Sequence, residues 1–132
     1  MRLHNKTLKS NLLLIVKLGF IWGLIEAAPG YVIHILHLNY FIPFLISFGI
    51  GLMVYGVVKT NNPLAAVATS FIASLLKMLN LFFIGAIPIG WIINPAIHIL
   101  LEGCFVAVTA GIFMGVVKNK QSRYQLDVKS NN

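Results

Sequence analysis

The stretch that decides the fold is Leu12 to Ala28, LLLIVKLGFIWGLIEAA, an apolar run broken by one lysine, holding one glutamate near its end and stopped by Pro29-Gly30. About 20 predominantly apolar residues cross a bilayer core, and with its flanks this run is long enough to do so as a helix. The whole 132-residue chain is built the same way: 58% of residues are hydrophobic, 10% are charged, and mean hydropathy is +0.88. Soluble domains carry about 25% charged residues, so this composition specifies an integral membrane protein and leaves no room for a separate soluble domain.

Outward from that run, a polar basic start from Met1 to Asn11 precedes the first crossing. The start resembles the basic region of a signal peptide, but Pro29 directly after Ala28 and the apolar remainder argue against cleavage there. Tyr31 to Asn39, YVIHILHLN, is too short to cross and carries His34 and His37, so it reads as a loop, an interfacial helix or a re-entrant piece. A second crossing runs from Tyr40 to Val58, a polar turn follows at Lys59 to Pro63, and a third crossing covers Leu64 to Ile84. Gly85 to Asn94 connects to a fourth, opened by Pro95 with Asn94 as its N-cap and reaching Val117. The expected fold is all-α with four transmembrane helices, or five if connections are minimal. Residues 1–117 form a single transmembrane domain and residues 118–132 a basic, mobile cytoplasmic tail.

Orientation follows from the lysines and arginines. Arg2, Lys6 and Lys9, then Lys59, then Lys118, Lys120, Arg123 and Lys129 all fall on one side of a four-crossing chain, which makes both termini cytoplasmic. Lys17 sits close enough to that side to snorkel, leaving Lys77 as the one lysine deep within a crossing. The formal net charge of +7 therefore expresses topology and attraction to anionic lipid, with no indication of nucleic-acid binding.

Against that background the ionisable residues inside the apolar runs stand out. Two of the three acidic residues, Glu26 and Glu102, are there, together with Lys77. Such groups are expensive in hydrocarbon, about 3 kcal/mol or more each, and by default mark a functional site facing protein or a cavity. At 1.5 Å per residue, Glu26 lies roughly 24 Å and Lys77 roughly 20 Å from the cytoplasmic side, while His98 and Glu102 lie roughly 5 and 10 Å from the outer side. All four are expected in the outer half, in one layer.

Helical spacing supports their meeting. Gly19, Gly23 and Glu26 share a stripe where a neighbouring helix can approach closely, and Ala66, Ser70, Ser74, Lys77 and Asn80 form one small and polar face. His98 and Glu102 are one turn apart, whereas Ala107, Gly111 and Gly115 lie on roughly the opposite side and offer a surface for homo-oligomerisation. Gly49, Met53 and Gly56 give the second crossing an uncharged packing face, and Trp22, mid-helix, is core or cavity lining. The expected solute-binding set is Glu26, Lys77, His98, Glu102, Asn80 and Trp22. No metal-ligand spacing such as HExxH, nucleophile motif, P-loop or dinucleotide fingerprint is present, so neither an enzyme nor a metal centre is expected, and the sequence names no cofactor. The single Cys104 reads as a buried small hydrophobe.

The pieces Gly19-x-x-Trp22-Gly23-x-x-Glu26-Ala27, Ile72-Ala73-Ser74-Leu75-Leu76-Lys77-Met78-Leu79 and Asn94-Pro95-Ala96-Ile97-His98-Ile99-Leu100-Leu101-Glu102-Gly103 resemble small bacterial multi-pass membrane proteins. They are also loosely similar to the membrane-embedded substrate-binding components of energy-coupling-factor transporters. The resemblance implies a bacterial plasma-membrane location, a small solute and partner membrane subunits. Two functions therefore stay open: a transporter or transporter component that binds a small polar or cationic solute or a proton, and a structural or assembly subunit whose ion pairs merely hold helices together.

Overall fold

A computed structural model describes the backbone of residues 2–28, 32–33, 36–83 and 89–130, and their side chains except those of 2–6, 39, 80, 81, 83, 91 and 125–130. Every element among the described residues is helical: α1 (Arg2–Ala27), a single 3₁₀ turn (Asn39–Phe41), α2 (Ile42–Thr60), α3 (Leu64–Phe83) and α4 (Gly90–Ser130). Three helices contain spans long and apolar enough to cross a membrane, Thr7–Ala27, Ile42–Thr60 and Ile92–Tyr124. The fourth, α3, has 20 residues and carries the small and polar face read from its sequence.

Local chemistry sets the turn between α2 and α3. Asn61 closes α2 in the left-handed conformation, φ 50°, with its N–H donating to the Val57 carbonyl. The Asn62 side-chain oxygen then accepts the Leu64 N–H at 3.0 Å, capping α3 while Pro63 sits where no helical N–H is needed. The reversal is therefore made within three residues.

Helix order is up, down, up, down, and the glycines decide how closely the helices approach. Gly19 and Gly23 of α1 lie against α3: a methyl added at Gly19 would stand 2.7 Å from Ile72 Cβ, and one at Gly23 would stand 2.8 Å from Leu76 Cβ and 3.0 Å from Ala73 Cα. Gly103 of α4 lies directly on Ser70 of α3, and Gly49 of α2 on the indole of Trp22 in α1. Thus α3 lies against all three other helices, while α1 and α4 occupy opposite corners, no Cα of one coming within 8 Å of the other among the described residues.

Polarity is inverted relative to a soluble bundle. Buried positions include Thr69, Ser70, Ser74, Lys77 and Glu26 beside Ala65, Ala66 and Ala73, whereas Leu12, Phe44, Phe82, Phe105 and Phe113 are exposed. A continuous apolar exterior of this kind would drive a soluble monomer to associate, and suits a hydrocarbon solvent in which helices associate through small residues and close packing.

Three expectations are corrected here. The fourth helix starts at Gly90, not at the Asn94-Pro95 pair, and Pro95 lies inside it. The proline falls so near the helix start that only one backbone bond, from its own position to the Trp91 carbonyl, is lost. The basic segment expected as a mobile tail after Val117 is helical to Ser130, because nothing between Lys118 and Ser130 is a glycine or proline that would stop α4. Cys104 is exposed on the outer face of α4 rather than buried, since Gly103 next to it takes the position facing α3.

Candidate functional site

At the end of the bundle where α1 and α3 finish and α4 begins, Lys77 reaches from α3 to α1. Its Nζ donates to the backbone carbonyl of Glu26 at 2.6 Å and stands 3.6 Å from Glu26 Oε2. The reason for the shorter contact is positional. Since α1 ends at Ala27, the Glu26 carbonyl belongs to the last turn, whose oxygens have no partner within the helix. A cation there satisfies the oxygen and interacts favourably with the helix dipole. With Lys77 2% and Glu26 9% exposed, the pair is sealed in protein, and the ammonium serves as a helix cap and a counter-charge together.

One turn away on the Lys77 helix, Ser74 donates from its hydroxyl to the Ala96 carbonyl of α4 at 3.0 Å. This ties α3 to α4 at the height of the cluster. Its effect is to fix the rotation of α4, so that Pro95, His98, Ile99 and Glu102, at helical spacing, face the interior between α1 and α2.

A cavity of about 270 Å³ opens there. Its polar lining among the described residues is Glu26 from α1 with His98 and Glu102 from α4. The remainder is hydrocarbon: Ile42, Leu45 and Ile46 of α2, with Pro95 and Ile99 of α4. His98 is exposed and Glu102 half-buried, so the cavity becomes less accessible from His98 toward Glu26. Glu102 has no ion-pair partner among the described residues, whereas Glu26 has Lys77.

The six residues picked out in the sequence are thus divided. Glu26, His98 and Glu102 come together on one cavity, and Lys77 stands behind it, paired with Glu26 but not part of the wall. Trp22, one turn below Glu26, is fully buried against Gly49 and outside the wall; its Nε1 has no hydrogen-bond partner among the described residues. The Asn80 side chain lies outside the described residues, as does that of His34, while His37 is exposed with φ 54° in the link before α2. The apolar walls from α2 had no signal in the sequence, because Ile42, Leu45 and Ile46 look like any other lipid-facing residues until the neighbouring helices are placed.

A larger hollow of about 580 Å³ lies farther along the same seam between α2 and α4, beside Ile50, Val54, Phe105 and Phe113. Apart from Asn61 and Thr109 its lining is hydrocarbon, and the Thr109 hydroxyl is occupied by the Phe105 carbonyl at 2.9 Å. It offers no polar chemistry comparable to the Glu26 cavity. Three of the described His, Cys, Asp and Glu side chains are nowhere grouped so as to hold a metal ion.

No family model, no curated protein and no solved structure matches this chain.

Proposed function

We propose that this chain is a four-crossing protein of the bacterial plasma membrane, with both termini cytoplasmic, that binds a small polar or cationic solute in the outer half as a transporter or transporter component. The observation that carries the reading is the cavity on which Glu26, His98 and Glu102 converge. Two carboxylates and a histidine lining a space large enough for a small molecule are costly to keep inside an apolar bundle, and a ligand pocket is characteristically apolar with a few convergent polar groups. A chain of this size would act as an oligomer or with partner membrane subunits. Uptake into proteoliposomes and solute-induced thermal stabilisation test it. Glu102→Gln should lower solute affinity while the protein still folds, and undiminished binding in that variant would remove the proposal.

A second reading is favoured by one contact. Lys77 donates to a backbone carbonyl at the end of α1 as well as facing a carboxylate, which is what a structural clamp does. In a structural or assembly subunit, Lys77→Ala would release partner subunits or unfold the bundle, and no solute would protect any variant thermally. Protection of the unaltered protein by a solute separates the two.

A further inference from the structure

Resting on the solute-binding reading, we infer that the cavity takes a small monovalent organic cation: an ammonium group on a short apolar body, with Glu102 as its counter-charge. Charge gives the first argument. The Lys77 ammonium is committed to Glu26, at 2.6 Å from its carbonyl and 3.6 Å from its carboxylate, so that pair sums to zero. Glu102 then contributes a carboxylate with no ion-pair partner among the described residues, on a wall that includes no lysine or arginine. An anion, or the carboxylate of a zwitterion, would meet the carboxylates of Glu26 and Glu102 and hydrocarbon, with the His98 ring as the one side-chain N–H donor on the described wall. An ammonium group would meet Glu102 with charge-assisted hydrogen bonds, which are about twice as strong as neutral ones.

The walls do not suit a calcium or zinc ion. Calcium and zinc sites need about four to eight oxygen, nitrogen or sulfur ligands, and Ile42, Leu45, Ile46, Pro95 and Ile99 supply none from their side chains. Nor do the described His and acidic side chains group with metal-ligand geometry. The same hydrocarbon suits the body of an organic cation, whose transfer from water is worth about 0.8 kcal/mol per buried methylene, about fourfold in affinity. Size sets the limit: about 270 Å³ is the volume of about nine waters at about 30 Å³ each, enough for a single-ring or short-chain amine.

The test is calorimetry on the full chain in phosphatidylcholine nanodiscs, with benzylammonium, methylammonium, phenylacetate, phenylalanine and Mn²⁺ as probes. Benzylammonium is expected to bind at least about tenfold more tightly than methylammonium, and phenylacetate, phenylalanine and Mn²⁺ not to bind. Glu102→Gln should weaken benzylammonium at least about tenfold with the unfolding temperature unchanged, and Ile46→Ala should narrow the gap between benzylammonium and methylammonium. Saturable binding of phenylacetate, phenylalanine or Mn²⁺ in place of benzylammonium, lost in Glu102→Gln, would leave the cavity as a binding site and overturn the cation class. Equal affinity for the two amines would overturn the apolar body, and full benzylammonium affinity in Glu102→Gln would overturn its counter-charge. If Glu102→Gln does not fold, Ile46→Ala decides: an unchanged gap overturns the inference. No binding of any of the five probes, with the protein folded, overturns the inference; solute uptake or thermal protection by other solutes then decides the broader reading separately.

Discussion

Lys77 is held where a lysine is least at ease, 2% exposed in the interior of an apolar bundle, and its two contacts with Glu26 are what make that position tolerable. Removing one partner of a buried pair costs about 3–5 kcal/mol, because the other is left as an uncompensated charge, whereas replacing both by apolar or neutral groups is often neutral. Lys77→Met is therefore expected to destabilise the protein by about 3 kcal/mol or more in denaturant unfolding from mixed micelles, and Lys77→Met combined with Glu26→Gln to recover most of the loss. Glu102→Gln is expected to change stability by less than about 1 kcal/mol, since Glu102 has no ion-pair partner among the described residues and is half-buried beside a cavity. That contrast separates a carboxylate that belongs to the frame from one that is available to a solute. The sequence marks both by the same sign, an acid in an apolar run. It cannot rank them, because the difference lies in a contact across 51 residues of chain, including one to a backbone carbonyl that no side-chain pattern advertises.

Helix faces were more legible than individual roles. The glycine stripe of α1 does meet α3, and the Ser70 and Ser74 face of α3 meets α4, because small residues permit the close approach by which helices in lipid gain van der Waals contact. Adding a methyl where no space exists costs about 1–3 kcal/mol through forced backbone shifts. Gly23→Ala and Gly103→Ala should each lower the unfolding midpoint accordingly, whereas Gly51→Ala and Gly115→Ala, which have nothing within 4 Å, should leave it unchanged or raise it slightly. Circular dichroism melts in detergent compare the four. Boundaries were less legible: Pro95 reads as a first-turn residue, yet α4 starts at Gly90, since a proline near a helix start sacrifices a single backbone bond. At the other end, α4 runs past Val117 as a basic helix whose side chains are exposed over residues 118–124. Ending the chain after Lys120 is expected to change stability by less than about 0.5 kcal/mol, as the side chains of 121–124 are exposed.

For the molecule as a whole, the distribution of basic residues predicts a topology that can be read directly. Cysteines introduced one at a time into a Cys104→Ser background, at Thr7, Asn61 and Ser122, should all be blocked only by reagents that reach the cytoplasm, while one at Tyr40 should react from outside. Labelling of Asn61 and Tyr40 from the same side would remove the four-crossing arrangement. The inverted polarity of the bundle, phenylalanine outward and serine, threonine and lysine inward, also predicts recovery of the whole protein in the membrane fraction after carbonate washing.

By itself the sequence determined the solvent and the elements. Its hydrocarbon content suits a bilayer, bilayer thickness calls for helices of about 20 residues, and lysine placement predicts an orientation that the labelling experiment tests. It also singled out Glu26, Lys77, His98 and Glu102, because ionisable groups in apolar runs are conspicuous in one dimension. Only tertiary structure decided how those residues divide. Lys77 withdraws from the cavity to cap α1 and pair with Glu26, while Glu26, His98 and Glu102 share a wall with three apolar residues of α2. That division depends on the rotation and separation of α1, α2 and α4, set by glycine contacts and by the Ser74 bond to Ala96, which are relations between helices and not properties of any one of them.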